Sequence, residues 1–203
     1  MFTLYTYPMS GNGRKVHTCL EEVGAQYEIT RIDLLKGEQK SSDYLKINPN
    51  GKVPTLKDDG FLLWESNAIL LYLSDKFPMA KMLPMDVQDR ARAFQWLLFE
   101  QTTFRPPLST LVRLTRFTPA EKQDKQAIEH AWSEVRTNMG ILQTSLSGRD
   151  YIGGTFSIAD MAMLPYVYLA TELGLDLSPW PTVAAYYTRL SARPTWQKVI
   201  GWK

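Results

Sequence analysis

Asn48-Pro49-Asn50-Gly51-Lys52-Val53-Pro54-Thr55-Leu56, followed at Trp64-Glu65-Ser66-Asn67-Ala68-Ile69, is the stretch that decides how this chain folds. It reads as a loop, a Val-Pro step into a short strand, a second short strand over 61–63, and a helix opening at Glu65-Ser66. Pro54 stands at the strand entrance, where a residue without an N–H costs the ladder nothing. If its peptide bond is cis, the chain turns sharply and exposes the backbone of Val53. An exposed N–H and C=O at Val53 can pair with an extended peptide as an added strand. The first N–H groups of the next helix have no partner within the helix and attract a carboxylate. A small acidic peptide is the ligand that such a pair of features fits.

Working upstream, Phe2–Thr6 is apolar and β-branched and stops at Pro8, which makes it a first strand. Ser10-Gly11-Asn12-Gly13 is a turn made of cap-type residues. Val16, Cys19, Leu20 and Val23 then fall on one face of a helix over 14–23, and Gly24 is its stop. Residues 27–34 alternate in polarity and form a second strand, completing a βαβ unit. Residues 36–42 are polar and read as a loop. Residues 44–47 allow one helical turn, ended at Asn48-Pro49 because the residue before proline avoids the helix. Asp58-Asp59-Gly60 signals a hairpin, and residues 66–77 form a helix. The first 77 residues therefore read β-α-β-α-β-β-α.

Downstream, residues 77–87 carry Pro78 and Pro84 without periodicity and read as a boundary. Helices follow over 86–114, 119–147, 157–173 and 181–192, with a short one from Pro194. Pro106-Pro107 must break or kink the first of these. Thr118 and Pro119 read as the cap and first-turn residue of the second. Ser157 and Asp160 have capping-box spacing, and Phe156 and Met161 the spacing of a hydrophobic staple; both read as folding devices. The expected division is an α/β domain at 1–78, a linker at 79–86 and an all-helical domain at 87–203.

The totals remove several function classes. A net charge of +2 with no block of like charge gives no footprint for nucleic acid. A single cysteine, Cys19, rules out an internal disulfide. No run of 18 apolar residues suggests a membrane span, and no basic-plus-apolar leader precedes the first strand, so a reducing cytoplasm is the expected location. His17 and His130 have no companions at metal-ligand spacing, so no metal site is expected.

A compact α/β unit, Val53-Pro54 before a strand, Glu65-Ser66-Asn67-Ala68-Ile69 at a helix start, and an all-helical half containing Ser157-Ile158-Ala159-Asp160 together resemble the glutathione S-transferase family. The resemblance spans the whole chain. It implies a thioredoxin-like N-terminal domain, an all-helical C-terminal bundle domain and a homodimer. Tyr7-Pro8-Met9-Ser10 is similar to the serine-type members near the theta and phi classes. Gln39-Lys40-Ser41 resembles the phi-type glutathione loop, with Gln39 where that loop has histidine.

The implied activity is conjugation of the glutathione thiolate to a hydrophobic electrophile, a detoxification reaction. Alternatives on the same fold are a glutathione-dependent peroxidase, dehalogenase or isomerase, or a non-catalytic binding module. A free thiol has a pKa of about 8.5, so activation requires preferential binding of the anion. Lowering that value by ~2 takes about 2.7 kcal/mol, and one charge-assisted hydrogen bond supplies ~1.5–3 kcal/mol. Ser10 at the start of the first helix is the expected donor, with Asn12 as its rival and Tyr5 and Tyr7 as further candidates. For the rest of the cosubstrate, Glu65 would take the γ-glutamyl ammonium, Ser66 the γ-glutamyl carboxylate, and Val53, turned by Pro54, the cysteinyl backbone. Lys40 and Lys52, with Gln39 beside them, would meet the glycyl carboxylate. The family places the electrophile between the domains, where Phe104 and Arg105 are the expected contributors. Trp96 and Phe99 read as core, and Glu100 or Gln101 could instead support the γ-glutamyl site across a dimer interface.

Overall fold

The structure is a computed structural model and describes residues 1–202. The chain divides into two compact units, one formed by Met1–Leu83 with the segment from Ala192 onward, the other by Pro84–Ser191.

In the first unit four strands form one sheet in the order β2-β1-β3-β4: β1 Phe2–Thr6, β2 Tyr27–Arg31, β3 Thr55–Asp58 and β4 Phe61–Trp64. β1 is central. It pairs in parallel with β2 (Leu4 opposite Ile29) and antiparallel with β3 (Leu4 opposite Leu56). The parallel pair needs a crossover, and α1 (Gly11–Glu22) supplies it. β3 and β4 are joined at Asp59-Gly60, with Asp59 left-handed at φ 52, a conformation that Asp adopts more readily than most residues. Alternation along β1 sends Phe2, Leu4 and Thr6 to one face and Tyr5 and Tyr7 to the other. The first face meets α1 and the end of α3 (Ser66–Lys76), where Phe2 lies 6.0 Å from the Phe77 ring. On the second face Tyr5, Tyr7, Leu34 and Ile47 pack around Ile32, Tyr44 and Val53, with Tyr44 carried by the short α2 (Ser42–Ile47).

The second unit is helical: α4 Val87–Phe99, α5 Arg105–Arg116, α6 Lys125–Ser145, α7 Ile158–Glu172 and α8 Pro181–Ser191. Pro106-Pro107 does not end the first helix. One π-helical turn, Glu100–Phe104, joins α4 to α5, and Arg105 N–H reaches back to Glu100 C=O. Pro107 has no N–H to offer the Thr103 carbonyl four residues earlier. The buried Asn138 of α6 donates to that carbonyl instead, at 3.0 Å. The capping box at Ser157 is formed, and Asp160 also accepts from the Ile152 N–H and the Tyr186 hydroxyl, at 3.0 and 3.1 Å. Phe156 of the expected staple stacks edge-on with Tyr151.

Three expectations differ. β2 stops at Arg31 rather than continuing to residue 34. α6 begins at Lys125, capped by Asp124, rather than at Pro119. The Asp124 carboxylate accepts the Ala127 N–H at 2.9 Å, whereas the Thr118 hydroxyl is turned back to the Arg113 carbonyl. The last helix, α9 (Pro194–Gly201), does not continue the helical unit but packs on α1. There Arg193 holds Glu22 through two bonds of 2.8 and 2.7 Å, and Lys198 meets Glu21 at 2.7 Å.

His17 lies in this α1–α9 contact. It is 3% exposed, 2.8 Å from the Tyr27 hydroxyl and edge-on to Trp202. Burial holds its pKa down at about 4, against a favourable pull from Glu21 and a smaller opposing push from Lys198. The fold thus prefers neutral His17. The stability this contributes is complete above the ordinary value of 6.5 and is lost as the pH falls towards about 4. The two values correspond to about 3 kcal/mol. Denaturant unfolding of the wild type and His17→Gln between pH 7 and 4 should therefore show the wild type losing that much more stability than the variant. Parallel pH profiles would contradict the assignment.

Candidate functional site

The loop 48–55 is fixed by one buried amide. Asn48 ends α2 and is 2% exposed. Its Nδ2 donates to the Lys52 carbonyl at 2.8 Å and to Thr55 Oγ1 at 3.1 Å, while its Oδ1 accepts the Asn50 N–H at 3.0 Å. Tyr44 adds a second brace: its hydroxyl donates to the same Lys52 carbonyl at 2.8 Å and lies 3.0 Å from Thr55 Oγ1. Burial raises the Tyr44 pKa, so the donor is retained across the physiological range. The Lys52 carbonyl, the Thr55 hydroxyl and the Asn50 N–H of the loop are thus paired.

What the loop presents is Val53. The Val53-Pro54 peptide is cis. Val53 packs its side chain against Ile32 and Tyr44, while no hydrogen bond within the described residues occupies its N–H or C=O. Gly51 is left-handed at φ 60, and a Cβ there would stand 2.7 Å from Lys40 Nζ and 2.9 Å from the Gln39 carbonyl. Only glycine fits both demands. The gap seats the 3-10 turn Glu38–Lys40 against the loop, and Lys40 Nζ donates to the Asn50 carbonyl at 3.3 Å. Lys52 is exposed. Gln39 is half-buried, with Oε1 shielded from solvent and unbonded.

Glu65 precedes α3 with φ 72 and ψ 108, a conformation that costs a non-glycine residue about 1–3 kcal/mol. Its exposed carboxylate makes no cap bond to the helix; Oε1 instead lies 3.5 Å from Asn50 Nδ2. Ser66 is 4% exposed and donates its hydroxyl to Asn12 Oδ1 at 3.2 Å. That bond ties the start of α3 to the start of α1 and turns the NH2 of Asn12 away from Ser66. Ser10 is the cap of α1, its Oγ accepting the Gly13 N–H at 3.1 Å. A hydroxyl has one donor and two acceptor positions, so capping leaves the Ser10 O–H available. The residues from Gln39 through Asn50 and Glu65 to Asn12 are therefore joined by contacts within one unit, and Ser10 lies two residues from Asn12.

Other expected contributors have different places. Tyr5 packs edge-on to Tyr44, and Arg31 stacks over the Tyr7 ring at 5.6 Å. Phe104 is not open to a ligand: it is 1% exposed and packs on Phe99. Trp96 is buried as expected, and the Arg105 guanidinium lies 3.9 Å from the buried carboxylate of Glu100. Cys19 is fully buried, and burial pushes its thiol pKa far up. No cluster of metal-ligating side chains occurs among the described residues, and none of their helices is long and apolar enough to cross a membrane. Asn48, Tyr44 and Asn50, which hold the site together, were missed in the sequence. Their one legible signal was an Asn-Pro-Asn-Gly loop one residue before Val-Pro.

Family models match both halves of the chain: "Glutathione S-transferase, N-terminal domain" over residues 1–75 and "Glutathione S-transferase, C-terminal domain" over residues 104–194. The chain is 33% identical to glutathione S-transferase GstB of Escherichia coli, over 98% of each protein. It is also 33% identical to the disulfide-bond oxidoreductase YfcG of the same organism, over 96% of this chain and 92% of that one. The crystal structure of glutathione transferase URE2P6 from Phanerochaete chrysosporium, in complex with oxidised glutathione, superposes with a TM-score of 0.90 at 33% identity, covering 98% of this chain and 94% of that one.

The bracing role of Asn48 can be measured without any ligand. Asn48→Ala leaves the Asn50 N–H without its partner, and the Lys52 carbonyl and the Thr55 hydroxyl with Tyr44 alone, which costs about 2–4 kcal/mol and lowers the unfolding midpoint by roughly 5–10 °C. Asn50→Ala removes only a 3.5 Å side-chain contact and should shift it by less than about 2 °C. Equal shifts would mean that the buried amide does not hold the loop.

Proposed function

The chain belongs to the glutathione S-transferase family, and on that premise we propose that it binds glutathione along Val53, Glu65 and Ser66 and activates the thiol at Ser10. The reaction is transfer of the glutathione thiolate to an electrophile. The observation that carries the reading is the Val53 backbone beside the α3 start: among the described residues neither it nor the Ser66 N–H has a hydrogen-bond partner, and Glu65 makes no cap bond. An extended acidic peptide satisfies both at once.

In this reading the peptide's cysteinyl N–H and C=O pair with Val53. The γ-glutamyl carboxylate takes the Ser66 N–H in the positive end of α3, and the γ-glutamyl ammonium faces the Glu65 carboxylate. Because the Ser66 hydroxyl is already given to Asn12, the backbone is the better donor here. Lys40 and Lys52 provide positive charge for the glycyl carboxylate, with Gln39 beside them.

At the sulfur, Ser10 donates its free O–H to the thiolate, and the α1 start adds its field. Asn12 is the second donor, its amide turned by Ser66. The thiolate then attacks a hydrophobic electrophile, a new carbon–sulfur bond forms, and the leaving group departs with the electron pair of the bond that breaks. Such conjugation serves detoxification. The exposed Phe61, Leu62 and Trp64 of β4 are apolar surface that a second copy would cover in a homodimer. One buried cysteine suits a reducing cytoplasm.

A second reaction on the same site is supported by the name of the YfcG relative and by the oxidised glutathione bound to URE2P6. The glutathione thiolate would attack a disulfide, forming a mixed disulfide and releasing a thiolate. Cys19, buried in α1, could not take part, so bound glutathione would be the nucleophile.

Conjugation to a generic aromatic halide tests the proposal. Ser10→Ala should lower kcat/KM by about 10- to 100-fold, the value of one charge-assisted hydrogen bond. Glu65→Gln should raise the KM for glutathione several-fold with little change in unfolding midpoint, since its carboxylate caps nothing. Full activity in Ser10→Ala would move the thiol contact to Asn12. Failure of calorimetry to detect glutathione binding by the wild type would end the enzyme reading.

A further inference from the structure

Ser10 is held by more than its own cap bond. Its Oγ accepts from Gly13, and Gly13 sits against the last residue of β1. A Cβ on Gly13 would lie 1.9 Å from Thr6 Oγ1, 3.3 Å from Thr6 Cβ and 3.3 Å from Ser10 Cβ. At Gly51 the nearest atom to an added Cβ would be 2.7 Å away. Gly13 has ordinary helical backbone rather than a left-handed φ, so approach and not conformation demands the glycine here. Gly13 is the third residue of α1, and its N–H is the one that the Ser10 cap takes.

The strand that carries this wall is held in the sheet. Thr6 is 1% exposed and closes β1, opposite Arg31 of β2, and its carbonyl accepts the Ile32 N–H at 2.8 Å. Its neighbour Tyr5 is paired on the other side with Thr55 of β3. Thr6 Oγ1 itself is buried without a hydrogen-bond partner. A glycine required by close approach and an unsatisfied buried hydroxyl stand in contact with each other, beside Ser10. Such coincidences mark functional ground.

We propose that Thr6 and Gly13 form a steric seat that sets how deeply the start of α1 lies on the sheet, and thereby positions the Ser10 hydroxyl for the thiol. Neither residue touches the substrate; both are positioning residues. The inference rests on the reading of Ser10 as the thiol donor. A Cβ at Gly13 lifts the first turn of α1 off Thr6 by a fraction of an ångström or more. That displaces Ser10 and, in the same motion, the Gly13 N–H that orients it. Displacements of about 1 Å at a catalytic group can cost on the order of a hundredfold.

The test follows the thiolate absorbance of bound glutathione against pH, with kcat and KM, for the wild type, Gly13→Ala, Thr6→Ala/Gly13→Ala, Thr6→Val and Ser10→Ala. Gly13→Ala should raise the pKa of the bound thiol and lower kcat at least about tenfold, with the KM for glutathione within about twofold. The double variant removes Oγ1, the atom that the new Cβ strikes at 1.9 Å, so it should fold and recover most of the wild-type pKa and kcat. Thr6→Val keeps the shape of the seat and should behave as wild type. A wild-type pKa in Gly13→Ala overturns the seat. So does a folded double variant that keeps the raised pKa, whether or not Gly13→Ala itself folds. A Thr6→Val pKa raised as far as that of Ser10→Ala would assign the effect to the hydroxyl and also overturn it. Ser10→Ala separates the two levels: an unshifted pKa there sinks the Ser10 reading, whereas a shift there without one in Gly13→Ala sinks the seat alone.

Discussion

The site depends on the closure of the loop 48–55 by the Asn48 side chain. Three polar atoms of that loop, the Lys52 carbonyl, the Thr55 hydroxyl and the Asn50 N–H, meet one amide that is 2% exposed. A short loop entering the central part of a sheet must satisfy these groups internally. Doing so through Asn48 and the Tyr44 hydroxyl leaves the outward backbone of Val53 as the part still able to bond. Gly51, seated against Gln39 and Lys40, and Asn50, beside Glu65, inherit their positions from the same closure.

The second half of the site is built on two helix starts, α1 and α3, joined by the Ser66–Asn12 bond. Both starts sacrifice local stability. Glu65 holds a left-handed φ, and α1 carries glycine where alanine would favour the helix. The sheet supports these choices because β1, its central strand, is paired on both sides. Behind α1, the bidentate Arg193–Glu22 pair and the Lys198–Glu21 contact brace the helix from α9. The Ser10 end of α1 is thereby fixed by the sheet, and its other end by the C-terminal segment.

Local signals were legible. The alternation of Phe2–Thr6, the helical face of Val16, Cys19 and Leu20, the Asp-Gly hairpin and the Ser157–Asp160 capping box each lie within a few residues, and each formed. The motif at Val53-Pro54 and Glu65-Ser66 disclosed the family for the same reason. What failed depends on distance or on burial. Asn48-Pro49 read as loop punctuation, because nothing in the string shows that the asparagine is buried. Glu22 and Arg193 are 171 residues apart, so the attachment of α9 to α1 has no local trace. Thr118-Pro119 read as a helix start, yet Asp124, a stronger cap, won five residues later. Pro106-Pro107 read as a break or a kink, and nothing local shows how the helix gets past it: a distant asparagine, Asn138, takes up the orphaned Thr103 carbonyl and the helix continues through a π turn. Glu65 is legible as a motif position, but not its φ.

Hydrogen exchange at the Val53 amide, followed by NMR with and without saturating glutathione at one pH, tests most directly whether the loop exists to present that backbone. If the peptide adds as a strand there, exchange at Val53 slows by at least about tenfold on binding, while the amides of the Asp59-Gly60 turn keep their rates. An unchanged Val53 rate in protein that other resonances show to be saturated with glutathione would contradict the account.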